Sequence, residues 1–118
     1  MSRFFKDDEL ACKCGRKECD APKMDMHTIM KLDGVRVEMG LPIVITSALR
    51  CAHHNKAVGG SNGSFHMLGK AVDIHCPNGG YMIKLVSIAM KHGFTGIGIK
   101  KNMVHFDTRP GLPILFGY

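Results

Sequence analysis

The chain has 118 residues, of which 45% are hydrophobic and 22% charged, with 14 glycines and no tryptophan. That length and composition predict one domain, residues 1–118, with one core, and exclude a disordered tail, a collagen-like repeat and a coiled coil. Sixteen Lys and Arg against ten Asp and Glu leave a formal charge of +6, which suits nucleic acid, a membrane surface or an anionic cell wall.

At the start of the chain, Met1 to Leu10 carries charges where a signal peptide needs its apolar region, so synthesis in the cytoplasm without a signal peptide is expected. Asp7, Asp8 and Glu9 predict a short helical turn, since first-turn acids suit the helix dipole. Cys12 to Pro22, with Gly15 and Pro22, reads as an irregular loop. Within it Cys12, Cys14 and Cys19 cluster, whereas Cys51 and Cys76 stand apart; five cysteines are an odd number for a disulfide framework. The cluster is either a small metal knot or a set of incidental thiols. A structural zinc there needs a fourth ligand, from Cys51 or a histidine, because three cysteines do not close such a site.

Asp25 to Met39 predicts a helix, with Met26, Ile29, Met30, Val35 and Val37 at loosely helical spacing, Gly40 as its stop and Gly34 as a point where it could break. The apolar run Leu41 to Ile45 is far short of the roughly 20 residues of a membrane span, so no membrane insertion is expected. Pro42 to Ser47 reads as a strand, Cys51 to Val58 as a helical turn or two, and Gly59 to Ser64 as a turn-rich loop. Lys70 to His75 is a second strand. Asn78 caps a helix from about Gly80 to His92, with Met82, Leu85, Val86 and Ala89 on one face and Gly93 as its stop. Strands near Gly96 to Ile99 and Met103 to Asp107 follow, joined by the turn Lys100-Lys101-Asn102, and the tail with Pro110 and Pro113 reads as extended packing. This order predicts an α+β fold with a small antiparallel or mixed sheet flanked by helices. The nine methionines, several of them on the two helices, read as fillers of core gaps.

The chemistry concentrates in Ser64-Phe-His-Met-Leu-Gly-Lys-Ala-Val-Asp73, where a histidine at the end of a glycine-rich loop precedes an aspartate on a strand. His105 lies on a later strand. Two histidines and one carboxylate, with a fourth position left to water, form the ligand set of a catalytic zinc site; satisfied structural histidines are the plainer reading of the same spacing.

Ser64, His66, Gly69, Ala71 and Asp73 together make the string Ser-x-His-x-x-Gly-x-Ala-x-Asp, which resembles the metal-binding motif of the zinc D-alanyl-D-alanine carboxypeptidases. That family includes D-Ala-D-Ala dipeptidases and phage endolysins that cleave peptidoglycan peptides, and it shares a fold with the hedgehog signalling domain. Thr46-Ser-Ala-Leu-Arg50 resembles the segment before the motif, and His54-Asn55 with Gly59-Gly60 resembles the connection between them. Gly96-Ile-Gly98 and Val104-His-Phe-Asp-Thr-Arg109 resemble the final strands. The likeness covers about residues 42 to 110 and implies one zinc ion held by His66, Asp73 and His105. It further implies that Arg50 hydrogen-bonds the scissile carbonyl or a substrate carboxylate and that Ser64 contacts substrate.

The family's base position, just before the last ligand, holds Asn102 and Met103, which cannot accept a proton. Asp107 shares a strand face with His105 and either replaces that base or orients the histidine. His75 shares a face with Asp73 and reads as structural or surface, as do His27, His53, His54 and His92. The reading is a monomeric zinc peptidase of the cell wall, in the setting of phage lysis. A non-catalytic zinc-containing wall-binding module is the alternative. A nucleic-acid-binding protein fits less well, because the basic residues are scattered and no aromatic platform accompanies them.

Overall fold

The computed structural model describes residues 2–118. The elements in chain order are α1 (Asp7–Leu10), α2 (Met26–Met39), β1 (Ile45–Ser47), α3 (Ala52–Ala57), a 3-10 turn (Phe65–Leu68), β2 (Ala71–His75), α4 (Gly79–Lys91), β3 (Gly96–Lys100), β4 (Met103–Asp107) and β5 (Ile114–Gly117). The fold is α+β, and the five strands form one mixed sheet in the order β1-β2-β4-β3-β5. Pairing is antiparallel except between β3 and β5, which run parallel.

Local chemistry accounts for the helix limits. The Asp25 carboxylate accepts from the Thr28 N–H at the start of α2 (3.0 Å), and Asn78 does the same for Tyr81 at the start of α4 (2.8 Å), each satisfying an N–H that the helix cannot. Gly40 closes α2 with a φ of 66°, a left-handed conformation that glycine adopts without a steric penalty. Gly34 does not break α2. It lies against the His92 ring at the end of α4, where there is no room for a side chain, so it serves helix–helix approach.

The inward face of α2 also differs from the expected one. Thr28, Ile29, Leu32, Val35 and Met39 are buried, whereas Met26, Met30 and Val37 are exposed. The methionines as a group are therefore not core fillers: Met39 is buried and Met24 and Met82 pack against the core, but Met26, Met30 and Met90 face outward. Leu32 and Val35 join Leu85 and Ala89 of α4 against Val72, Ile74, Val104, Phe106 and Ile97 on one sheet face. Burying each large apolar side chain contributes on the order of 1.5–3 kcal/mol, and the layer holds the sheet rigid behind its other face.

That other face follows from register. Asp73 on β2 pairs with His105 on β4, and His105 pairs with Gly98 on β3; Ala71, Asp107 and Gly96 make the next rung. Because side chains alternate across a strand, Asp73, His105 and Asp107 emerge together, opposite the helices. The expected strand from Pro42 shortens to Ile45–Ser47, and the expected extended tail contains a strand, β5, which adds Phe116 to the same face through its pairing with Gly98.

Gly69 ends the 3-10 turn with a φ of 70°, and a Cβ there would overlap the Lys23 carbonyl. Gly69→Ala is expected to cost about 1–3 kcal/mol of stability in denaturant melts, from backbone strain and that overlap. Gly63→Ala, where a Cβ meets open space, should change it by less than about 1 kcal/mol.

Candidate metal centre and cleft

His66 rides on the 3-10 turn, which Ser64 caps by accepting from the His66 N–H (3.2 Å). The turn is fastened to the segment after β1, since the Arg50 N–H donates to the His66 carbonyl (3.2 Å). The His66 ring is 2% exposed, and its Nδ1 lies 2.7 Å from the Ala48 carbonyl. A carbonyl only accepts, so Nδ1 carries the proton and Nε2 turns its lone pair inward. That lone pair lies 3.1 Å from Asp73 Oδ1.

His105 repeats the arrangement with its nitrogens exchanged. It lies between two carboxylates, with Nε2 2.7 Å from Asp107 Oδ2 and Nδ1 3.0 Å from Asp73 Oδ1; with a cation among the inward atoms, Nε2 donates to Asp107 and Nδ1 turns its lone pair to the ion. His66 Nε2, Asp73 Oδ1 and His105 Nδ1 thus converge as three acceptors, and among the described residues these three form one of two groups able to hold a metal ion. Two imidazole nitrogens and a carboxylate oxygen are a zinc donor set, and Zn–N and Zn–O bonds near 2.0–2.1 Å imply separations of about 3.3 Å, close to those present. A divalent cation therefore fits these residues.

Without an ion, protons on the inward nitrogens take its place, and the electrostatics are those of that state. Burial alone would raise the Asp73 pKa, but contacts with His105 and His66 and their positive charge hold it well below the usual carboxylate range. For His105, burial opposes charge, yet the Asp107 and Asp73 carboxylates on either side push its pKa up. Asp73 is thus held ionised, with its carboxylate between the two imidazoles, which favours a cation.

Asp107 is 0% exposed. Arg109 donates to both of its oxygens, from Nε to Oδ1 (2.8 Å) and Nη2 to Oδ2 (2.6 Å), and the Arg109 backbone N–H adds a third bond to Oδ1 (3.1 Å). Desolvation would raise its pKa, but the Arg109 and His105 bonds hold it well below the usual range. Of the two roles open to Asp107 in the sequence, this geometry suits the orienting one: both oxygens are occupied and the group is shielded from a water in the cleft. Gly96 makes the arrangement possible, because a Cβ there would overlap the Asp107 carboxylate and Arg109; at Gly98 it would crowd the Phe116 ring at 2.7 Å.

Arg50, half-hidden beside the triad, donates from Nη2 to Asp73 Oδ2 (3.1 Å), from Nε to Ser47 Oγ (3.1 Å) and from Nη1 to Asn55 Oδ1 (3.2 Å). It is no surface ion pair: its side chain is 13% exposed. Asn55 is buried and also donates from Nδ2 to the Ser61 carbonyl (2.9 Å), and a Cβ on Gly60 would overlap its Oδ1. Asn55 and Arg109 are among the site-building residues to which the sequence assigned no role. Their signal was present in the His54-Asn55, Gly59-Gly60 and Asp107-Thr108-Arg109 strings, but only the folded contacts give it a function.

The triad lines a cleft of about 540 Å³. Arg50, Ser64, Phe65, Arg109, Phe116 and Tyr118 also face it, with the Arg109 guanidinium 5.1 Å from the ring centres of both Phe65 and Phe116. His75 is exposed and lies outside the triad, as do His27 and His53. His92 pairs with Glu38 (3.0 Å), a structural contact. Asn102 sits in the β3–β4 turn with a φ of 61°, and Met103 accepts from the Thr46 hydroxyl (3.9 Å).

Two histidines and one aspartate, largely buried under an open cleft, are the donor set of a hydrolytic zinc centre. Residues 3–107 match the family model of peptidase M15, and the chain belongs to that family. The match takes in the cysteine segment as well as the motif. Over 71 residues the chain is 38% identical to the zinc D-Ala-D-Ala carboxypeptidase of Streptomyces albus G, a stretch that is 59% of this chain and 28% of that protein.

If Asp107 orients His105, Asp107→Asn should weaken zinc binding about 10–100-fold in a chelator-competition titration. A residue acting only as base would leave zinc affinity unchanged.

Proposed function

We propose that the protein is a zinc peptidase that hydrolyses a peptide bond in the stem or cross-link of bacterial peptidoglycan. The observation that carries this reading is the convergence of His66 Nε2, Asp73 Oδ1 and His105 Nδ1, two of them on buried residues, with outer partners in place at Ala48, Arg50 and Asp107. Zinc bound there supplies a Lewis acid and a water acidified to a pKa near 7.

The chain's own residues complete the site. Three of the five Arg50 N–H groups are used by Ser47, Asn55 and Asp73, and the remaining ones suit a scissile carbonyl oxygen or a terminal carboxylate. Ser64 accepts from His66 and keeps its hydroxyl proton for a substrate carbonyl. Phe65 and Phe116 give the peptide an apolar wall, and Arg109 between them adds positive charge at the cleft mouth. Asp107 holds the His105 tautomer and is not the base on this reading. The +6 charge draws the protein to an anionic wall, and a small lysis enzyme of phage type is the setting we infer. A D-alanine carboxypeptidase and an endopeptidase share this chemistry and differ in whether Arg50 meets a free carboxylate.

Peptidoglycan digested with zinc-loaded protein and resolved by mass spectrometry should yield stem peptides with one newly cut amide, and a chelator should abolish the cut. Unaltered fragments with stoichiometric zinc and retained wall binding would contradict the enzyme reading and favour a metal-holding binding module. Arg50→Lys, which keeps the charge and loses the fork, is expected to lower kcat/KM by roughly 10-fold or more, read from the same digest followed over time.

A further inference from the structure

Residues 11–25 form no helix or strand, yet they are held against the fold, at their end where the Asp25 N–H donates to the Gly69 carbonyl (2.9 Å) and also through the cysteines. There the sulfur atoms of Cys12, Cys14, Cys19 and Cys51 all lie within 4.8 Å of one another. Cys12, Cys14 and Cys19 are half-buried and Cys51 is buried. The fourth member comes from outside the sequence cluster: Cys51 directly follows Arg50 and is the N-terminal cap of α3.

The spacing distinguishes a metal from a disulfide. Cys12 Sγ and Cys51 Sγ are 3.7 Å apart, far beyond an S–S bond of about 2.05 Å. Four sulfurs at about 2.3 Å from one tetrahedral zinc are about 3.8 Å from each other. Three backbone N–H groups also point at sulfur: Cys51 to Cys12 (3.3 Å), Arg16 to Cys14 (3.4 Å) and His54 to Cys51 (3.4 Å). N–H groups aimed at sulfur are the outer contacts that orient metal-bound sulfur. The Arg16 contact depends on Gly15, whose φ of 69° turns the chain back immediately after Cys14. Four thiolates on a divalent cation carry a net charge of −2 by arithmetic; residues 12–20 offset it in part, with Lys13, Arg16 and Lys17 against Glu18 and Asp20.

We propose that Cys12, Cys14, Cys19 and Cys51 bind a second zinc ion, in a closed tetrahedral site distinct from the His66–Asp73–His105 centre. The four thiols release their protons to solvent as the ion binds. With every position taken by sulfur the ion has no place for water or substrate, so its role is structural. It cross-links the irregular N-terminal segment to the start of α3. Next to it, the Leu49 N–H donates to the Leu10 carbonyl (3.1 Å), so the ion would fix the backbone on either side of Arg50.

Metal analysis of the reduced, desalted protein tests this separately from any activity. The expected content is two zinc ions per chain, falling to one in His66→Ala and to one in Cys19→Ser. Cobalt in place of zinc should give an intense thiolate-to-cobalt charge-transfer band in the near ultraviolet, present in His66→Ala. Because Cys19→Ser can fail to fold, the His66→Ala measurement stands alone, with the four cysteines intact. Zinc-free His66→Ala, or a cobalt form of it without the thiolate band, would overturn the proposal. So would an intact mass of the protein purified without reductant that is lower by two hydrogens, which reports a disulfide.

Discussion

One oxygen of Asp73 faces two imidazole nitrogens at once, and neither imidazole has a proton to offer it while each spends its own on an outer partner. His66 gives its proton to the Ala48 carbonyl and His105 gives its proton to Asp107. Two lone pairs therefore face Asp73 Oδ1 from about 3 Å, and such an arrangement costs free energy unless a cation, or additional protons, sit among them. The rest of the molecule is disposed around that constraint. The β2–β4 register sets Asp73 opposite His105, the 3-10 turn carries His66 to the same point, and the helical layer behind the sheet keeps the strands from relaxing away.

Around the triad stands a ring of positioning contacts, and glycines make the room for it. Arg109 pins Asp107, which orients His105; Asn55 pins Arg50, which bonds the outer oxygen of Asp73. Gly60 leaves space for the Asn55 amide, Gly96 for the Asp107 carboxylate, and Gly98 for Phe116. Each glycine is thus a place where a side chain on a neighbouring segment has been brought close. Substituting one would disturb the metal centre without touching a ligand, since outer partners govern both the direction and the basicity of the ligand atoms.

Much of this was legible in the sequence, for local reasons. Asn78, Gly40, Gly93 and the Lys101-Asn102 turn are short-range signals, and the helix ends and the β3–β4 hairpin fell where they indicated. The Ser64–Asp73 string carried the triad. Features set by distant partners were not legible. Strand β5 follows Pro113, and its parallel pairing with β3 leaves no mark in its own residues. The periodicity of α2 gave no choice between Met26, Met30 and Val37 and the true inward stripe through Leu32, because hydrophobic residues lie on both sides of that helix. The sequence offered Cys51 or a histidine as a fourth member for Cys12, Cys14 and Cys19, and only folding across 39 residues selects Cys51. Asp107 was placed near His105, but its contacts with Arg109 decide what it does, and those needed coordinates.

Membership in the peptidase M15 family and the triad's geometry point to the same chemistry from independent directions. The account turns on whether the inward lone pairs of His66, Asp73 and His105 hold an ion. Anomalous diffraction at the zinc absorption edge, from crystals grown with zinc, reads this directly. The expected result is a peak about 2.0–2.1 Å from His66 Nε2, Asp73 Oδ1 and His105 Nδ1, with Nδ1 of His66 and Nε2 of His105 still bonded to Ala48 and Asp107. Zinc-saturated crystals with no peak at that point, and with both histidines hydrogen-bonded directly to Asp73, would contradict it.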